Sequence, residues 1–428
     1  MTKMVKEINL NHICKIEGHA HLNLKIEKNK VIECQLKAAE GARFFEALVL
    51  GKKVEDIQEI VSRICGICSC SHSVASIQGL EEALGIKPTN QQRFIREMLL
   101  LGERIRSHAT HLYFLSLPDF FGASSVLSLG KEHKSKIDDA LLIVSTGNKI
   151  IEDFGGRDMH PFLKIREEMP EMNYDEILKK LKDSKNVIKR TIDLFSKLDY
   201  PKIERDSDYL SLKRKDVYAN ISGNVSSMGE LFNDNDYKKH LTENIKEYAT
   251  SKFVLHDGKP YMLGSMARIN NNNKQLGNQT KKVLKDTLNK MQLTLPLKNP
   301  YHNLVCQAIE LFEAVNRVTY LIENRPTPKT PQKITIKEGS GVSAVEAPRG
   351  TLFHEYKIDK NGKITYCNIM TPTCQNLNMM EQDMTMLVNS LLATNTSKTE
   401  IVEKLEKLIR AYDPCFSCST HFLKVNWD

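Results

Sequence analysis

Four cysteines in two C-x-x-C pairs, Cys65 with Cys68 and Cys415 with Cys418, are the residues of this chain whose type and spacing most directly promise chemistry. Two intervening residues turn the backbone on itself, so the thiolates of a pair converge on one metal, and two pairs make a four-thiolate site. Such a soft donor set suits a zinc staple or an iron–sulfur cluster. In zinc ribbons the pairs lie about 15 to 20 residues apart, whereas here 346 residues separate Cys68 from Cys415. A shared site would therefore tie the two ends of the chain together. The remaining cysteines, Cys14, Cys34, Cys70, Cys306, Cys367 and Cys374, are scattered singly and have no cluster-ligand spacing.

The elements that must hold the pairs follow from hydrophobic periodicity. From Glu7 to Lys37 apolar and polar residues alternate, with a break at Lys28-Asn29-Lys30, which predicts an N-terminal sheet with a hairpin turn. Helical spacing runs from Val54 to Val61 into the first pair and from Val74 to Leu84 out of it, stopping at Gly85. Further helices are predicted over about Gln91 to Leu117, Ser135 to Phe154, Asp175 to Leu198, Lys281 to Met291 and Asn303 to Asn324. Near Gln332 to Tyr366 the β-branched alternation returns, interrupted at Gly339-Ser340-Gly341 and at Lys360-Asn361-Gly362-Lys363. A helical pair, about Met379 to Leu392 and Thr399 to Ala411, leads into the second cysteine pair. Asn270 to Asn273 reads as a loop, and Pro326-Thr-Pro-Lys-Thr-Pro331 as a helix-breaking run. The expectation is an α+β fold with a helical centre, one domain over residues 1–428 whose terminal segments meet at the metal.

Composition is that of an ordinary soluble globular protein. The 428 residues are 41% hydrophobic and 27% charged, which excludes collagen-like, mucin-like and wholly disordered classes. No run of about eighteen apolar residues occurs, and Met1-Thr-Lys-Met-Val-Lys-Glu lacks the apolar core of a secretory signal, so a cytoplasmic location and reduced cysteines are expected. A net charge of +8 is no footprint of nucleic-acid binding. The densest basic stretch, Lys179 to Lys197, interleaves Ile177, Leu181, Ile188 and Phe195 at helical spacing, as in a core-packed helix with a solvated face.

The residues around the cysteines are more specific than the spacing. Arg63-Ile-Cys65-Gly-Ile-Cys68-Ser-Cys-Ser-His72 and Asp413-Pro-Cys415-Phe-Ser-Cys418-Ser-Thr-His421 resemble the paired signatures of nickel–iron hydrogenase large subunits. The resemblance continues in order through Ile16-Glu17-Gly18-His19, Gly41-Ala-Arg-Phe-Phe-Glu46, Gly155-Gly-Arg-Asp-Met-His160, Glu346-Ala-Pro348-Arg349-Gly350 and Thr371-Pro372-Thr373. Arg43-Phe-Phe-Glu46 and Ser107-His108-Ala-Thr-His111 are most similar to the cytosolic, sulfhydrogenase-type, nicotinamide-linked branch, with the methyl-viologen and deazaflavin types as close relatives.

The resemblance implies a hydrogenase that interconverts dihydrogen with protons and electrons. Cys65 and Cys415 would be terminal nickel ligands, and Cys68 and Cys418 would bridge nickel to an iron carrying cyanide and carbon monoxide. His72 would tune a bridging sulfur as a hydrogen-bond partner, and Pro348 and Thr373 would line the cofactor. Arg349, held by Asp413, would face the open metal position. Either its guanidinium or the Cys415 thiolate would take the proton, and Glu17 would pass it outward. Glu46, His421 and the main-chain carbonyl of Ile369 would hold a second, hard cation, magnesium or iron.

Two departures from the family pattern stand out. Ser107 occupies the place where many relatives carry an aspartate near the arginine, and Phe162-Leu-Lys-Ile-Arg replaces a Gly-Gly segment. After His421 only seven residues remain, including the one tryptophan, Trp427. The expectation is that this short tail is retained, with Trp427 anchoring it. With the cysteine pairs committed to the active site, the electrons need an iron–sulfur small subunit as partner. No G-x-G-x-x-G loop occurs, so nicotinamide or flavin belongs to a diaphorase or other electron-transfer subunit. The rival is a non-catalytic, zinc-stapled scaffold subunit of an electron-transfer complex.

Overall fold

The computed structural model describes residues 6–39, 41, 44–130, 133–165, 168–227, 229–329 and 334–420. Arg43, His421 and the tail with Trp427 lie outside the described residues. Near the N-terminus the alternating pattern forms an antiparallel sheet of Lys6–Leu10, Ala20–Glu27 and Lys30–Ala38. Its hairpin turns at Lys28 and Asn29, both at positive φ, as a tight turn following the right-handed strand twist requires. Leu22, Leu24 and Leu36 are buried beneath it. Main-chain N–H groups of Val31 and Leu36 donate to Asn389 and Glu381 of the late helix Pro372–Ala393, at 2.8 and 2.9 Å, so one end of the chain docks on the other.

The centre is helical. Asn90–Thr110, Lys134–Gly155, Tyr174–Ser196 and Asn303–Glu323 pack together, and Thr89 opens the first of them with a reciprocal capping box to Gln92. Gly102 and Gly147 bring two of these helices into contact: a Cβ on Gly147 would lie 2.6 Å from the Arg106 nitrogen. A π-helical turn, His111–Ser116, continues Asn90–Thr110 and gives way to the short helix Leu117–Phe120.

The late sheet is an antiparallel meander, Gly339–Ala347, Gly350–Ile358 and Ile364–Met370. Gly339-Ser340-Gly341 does not interrupt a strand, as expected, but begins one. Its glycines let the helix Ser69–Leu84 lie directly on the strand, since a Cβ on Gly341 would sit 2.3 Å from the Ala83 nitrogen and 2.4 Å from the Gly79 carbonyl oxygen. Asn270 to Asn272 also differ from expectation, forming the end of a helix, Ser265–Asn272. Asn271 and Asn272 donate to the main-chain carbonyls of Tyr209 and Leu212 at 2.7 and 2.9 Å, so tertiary hydrogen bonds outweigh their weak helix propensity.

Two helices begin earlier than their periodicity indicates, at Ser69 and at Pro372, because their first turns bury polar residues such as Ser71, Gln375 and Asn376. Between residues 208 and 262 lie small sheets that short, irregular alternation did not reveal: Ser211–Lys213 with Asn224–Ser227 and Glu230–Phe232, Leu241–Ile245 with Lys252–His256, and a parallel pair, Asp208–Tyr209 with Tyr261–Met262. A large apolar core extends in sequence from Ile8 to Cys418, and a smaller one gathers Leu210, Leu212, Val225, Val254, Tyr261 and Phe353. The architecture is α+β. Among the described residues no helix is long and apolar enough to cross a membrane.

Candidate metal centre

Cys65 lies in the turn after the helix Val54–Ser62, and Cys68 is the residue immediately before the helix Ser69–Leu84. That turn is fixed by charges from the neighbouring helix Asn90–Thr110. Glu103 accepts from the amide of Cys70 at 2.7 Å and that of Ser71 at 3.2 Å, satisfying donors that a helix start leaves open. Arg106 donates to the carbonyl of Ile67 at 2.8 Å. Burial pushes the Glu103 carboxyl up to about 7, against the hydrogen bonds it accepts and the nearby Arg106. Glu103 and Arg106 were not foreseen, because in sequence they look no different from Arg93, Arg96, Glu97 and Arg104 of the same helix.

The second pair is carried by residues that pass Glu17. Glu17 and Cys415 form a parallel bridge, the Phe416 amide donates to the Glu17 carbonyl at 2.9 Å, and the Cys415 amide donates to Thr373 Oγ1 at 2.9 Å. The two pairs meet. Cys65, Cys68, Cys415 and Cys418 are buried, with their sulfurs within 4.8 Å of one another: Cys65 to Cys415 is 3.5 Å, Cys68 to Cys418 is 3.0 Å and Cys415 to Cys418 is 2.8 Å.

The carboxylate of Glu17 spans the pair, Oε2 accepting from Cys415 Sγ and Oε1 from Ser417 Oγ, each at 2.8 Å. Burial and then the charge of Cys65 raise its pKa, opposed by those hydrogen bonds and by Arg349.

Arg349 occupies the turn between strands Gly339–Ala347 and Gly350–Ile358 and is 5% exposed, not at the surface as a turn arginine usually is. Its Nε donates to the Asp413 carbonyl at 2.8 Å and its Nη2 to Asp413 Oδ1 at 2.9 Å. Burial opposes its charge, but Asp413 and then the cysteine sulfurs outweigh burial and hold its pKa well above the ordinary value. Asp413 Oδ2 accepts from Gln307 at 3.0 Å, and Gln307 is tied in turn to His111 at 2.6 Å. The hydroxyl of Ser107 is buried without a hydrogen-bond partner among the described residues.

Below the turn, Arg268 donates to the carbonyls of Ala347 and Pro348, each at 2.9 Å, and pairs with Glu310 at 2.6 Å and Glu346 at 3.0 Å, all fully enclosed. These supports were also unforeseen, because in one dimension Arg268 is one charge among many.

A narrow cavity opens beside the sulfurs, lined by His72, Pro348, Arg349, Leu352, Thr373 and three of the four cysteines. His72 Nδ1 is 3.1 Å from His354 Nε2, and His354 Nδ1 is 2.7 Å from the Tyr356 hydroxyl, so the ring is braced from behind. The donor set fits a soft metal. Arg349 Nη1 supports the same conclusion, being buried without a hydrogen-bond partner among the described residues and therefore suited to polar groups in this cavity.

The proposed second-cation residues are partly described. Glu46 Oε1 accepts from the Ile369 amide at 2.7 Å and from Lys252 Nζ at 2.8 Å. Lys252 also reaches Asn368 at 2.7 Å and Glu243 at 3.0 Å. Burial opposes the lysine charge, yet Glu243 and Glu46 raise its pKa above the ordinary value.

Comparison with known proteins agrees with this geometry. The sequence profile of the nickel-dependent hydrogenase family matches residues 43–152 and 132–421. The chain is 33% identical to the sulfhydrogenase 1 alpha subunit of Pyrococcus furiosus, over 99% of this chain and 100% of that one. It is 32% identical to the sulfhydrogenase 2 alpha subunit of the same organism, over 98% and 100%. An NAD+-reducing [NiFe]-hydrogenase in the H2-reduced state superposes with a TM-score of 0.83 at 21% identity, over 98% of this chain and 100% of that one. The Ni-Fe-Se hydrogenase of D. vulgaris Hildenborough gives 0.74 at 23% identity over the same shares, and at such identities the likeness is one of fold. The chain belongs to the nickel-dependent hydrogenase family, as the catalytic large subunit of an oxidoreductase acting on dihydrogen.

Proposed function

We propose that this chain cleaves dihydrogen heterolytically and reversibly at a nickel–iron centre and passes the electrons to an iron–sulfur small subunit. The observation that carries the reading is the meeting of four buried thiols, two from each end of the chain, beside a buried guanidinium. In this reading Cys65 and Cys415 would hold nickel, Cys68 and Cys418 would hold both nickel and an iron carrying cyanide and carbon monoxide, and Pro348, Arg349, Leu352 and Thr373 would line the group. The metals, when bound, supply the Lewis acidity and electron acceptance that polarise and oxidise dihydrogen.

The chain's own residues then handle charge and protons. Arg349 keeps its positive charge at the raised pKa and acts as a fixed cation over the reacting position rather than as the base. Cys415 takes the proton and Glu17 carries it outward, a division of labour favoured by their 2.8 Å contact and by the raised pKa of Glu17. His72, braced by His354, would donate toward a cysteine sulfur of the centre. Asp413 and Gln307 hold the guanidinium in place. Glu46, His421 and the Ile369 carbonyl would hold a magnesium or iron ion, a reading supported by the hydrogen bond that brings the Glu46 carboxylate to Ile369.

Residues 1–428 act as one catalytic domain in the cytoplasm. The sulfhydrogenase alpha subunits and the NAD+-reducing structure favour a multi-subunit assembly with a diaphorase or similar electron-transfer module and a soluble nicotinamide-type acceptor. Metal analysis of the complex, purified from cells with their maturation machinery, tests the reading. About one nickel and at least one iron per large subunit are expected, while stoichiometric zinc without nickel would return the chain to the scaffold class.

A further inference from the structure

A second convergence of metal-type donors lies among the small sheets, in residues that take no part in the cysteine centre. Glu230, His240, His256 and Asp257 bring one donor atom each within 4.8 Å of the others. Local structure fixes them. His240 ends the short helix Tyr237–His240, and its carbonyl accepts from the Asp257 amide at 3.0 Å, beside the ladder pair Leu241 and His256. Asp257 adopts a φ of 46° in the tight turn that follows. Glu230 opens the strand Glu230–Phe232, whose Phe232 ring stacks on His240 at 4.1 Å and lies nearly parallel to His256 at 6.2 Å. The two imidazoles are thereby set side by side before any ligand arrives.

His256 decides the matter. It is 7% exposed, its Nδ1 lies 2.7 Å from Asp208 Oδ2 and 3.2 Å from Ser227 Oγ, and its Nε2 is buried without a hydrogen-bond partner among the described residues. The nearest carboxylate oxygen, on Asp257, is 3.6 Å from Nε2, beyond a hydrogen bond. A carboxylate on one ring nitrogen with the other nitrogen bare is the arrangement of a metal-ligating histidine. Glu230 and Asp257 are exposed and, with His256, line a surface cleft of about 800 Å³, so an ion has access.

We propose that Glu230, His240, His256 and Asp257 bind one divalent ion of the zinc class, with Asp208 orienting His256. Two imidazoles and two carboxylates make a closed four-ligand set of the structural kind, without sulfur and therefore distinct from the thiolate donors of the nickel centre. The ion would clamp the start of Glu230–Phe232 to the end of the Leu241–Ile245 and Lys252–His256 hairpin.

Zinc titration of the chelator-washed holoenzyme, followed by metal analysis and zinc-edge X-ray absorption, tests this. One equivalent beyond the nickel-site metals is expected, ligated by nitrogen and oxygen alone, with hydrogen uptake unchanged. Asp208→Asn should weaken binding about 10- to 100-fold. The double variant His240→Ala/His256→Ala should abolish it. Because His256 is buried, His240→Ala and Glu230→Gln, at more accessible positions, serve as separate variants that should each weaken zinc binding at least about tenfold. No binding at micromolar zinc, a sulfur-containing shell, or affinity unaffected by His240→Ala would overturn the proposal.

Discussion

Arg349 holds Asp413 twice, through the aspartate's main-chain carbonyl at 2.8 Å and its side-chain Oδ1 at 2.9 Å, while the third guanidinium nitrogen, Nη1, has no hydrogen-bond partner among the described residues. The double contact fixes the plane of the fork, and only a planar fork leaves a donor aimed into the cavity once two others are engaged. Arg349→Lys keeps the charge and loses that geometry. We expect the metals to be retained and turnover to fall by on the order of a hundredfold, about the effect of removing one preorganised donor at a reacting position. Hydrogen-uptake assays with parallel nickel analysis check this, and near wild-type activity would take Arg349 out of the mechanism.

For Glu17 the expectation separates proton movement from the rest. Glu17→Gln preserves the shape that bridges Cys415 and Ser417 but cannot carry a proton. Exchange of deuterium between dissolved gas and solvent should fall by about 10²- to 10⁴-fold, the span of a positioned acid–base group, with nickel content and thermal stability near wild type. Unchanged exchange would assign the proton exit to another group.

What could be read from the sequence was what depends on residue type and near-neighbour spacing. The C-x-x-C pairs, the hairpin turn at Lys28 and Asn29 and most central helices follow from local rules, and the family resemblance rested on short motifs. Other features depend on residues far apart in the chain. Arg268 and Glu310 meet across 42 positions, and Arg349 and Gln307 reach Asp413 across 64 and 106. A helix-face rule treats such charges as solvated, so buried ion pairs escape it. The same limit explains Asn270 to Asn272, whose helical state rests on distant partners, and Gly339 and Gly341, which accommodate a helix rather than a turn.

Arg268 carries the most exposed consequence of that buried network. Its guanidinium lies between Glu310 and Glu346 while holding the carbonyls of Ala347 and Pro348, so Arg268→Leu would leave two enclosed carboxylates without their cation. A loss of about 3 to 5 kcal/mol in stability is expected, the usual effect of breaking a buried pair from one side. Chemical denaturation of the large subunit within its complex measures it, with the triple change Arg268→Leu/Glu310→Gln/Glu346→Gln as the control that should recover part of the loss. A midpoint unchanged by Arg268→Leu alone would mean that the network does not support the Arg349 turn.

His302 provides a pH-dependent expectation at a position far in sequence from the four converging cysteines. It is 7% exposed at the start of the helix Asn303–Glu323, packs edge-on against Tyr200 at 5.6 Å, and burial pushes its pKa from 6.5 down to about 4. Between those two values the unfolded chain binds more protons than the folded one, so stability rises with pH across this window. The contribution is complete above about pH 6.5 and is progressively lost as pH falls toward 4, reaching about 2 kcal/mol lost at pH 5 by the linkage relation. His302→Gln, which cannot take up the proton, should flatten this part of the profile by about that amount, although other buried groups keep some acid sensitivity. Denaturation midpoints for both proteins at pH 7 and pH 5 decide the point, and equal losses in the two would show that His302 does not sense the acid.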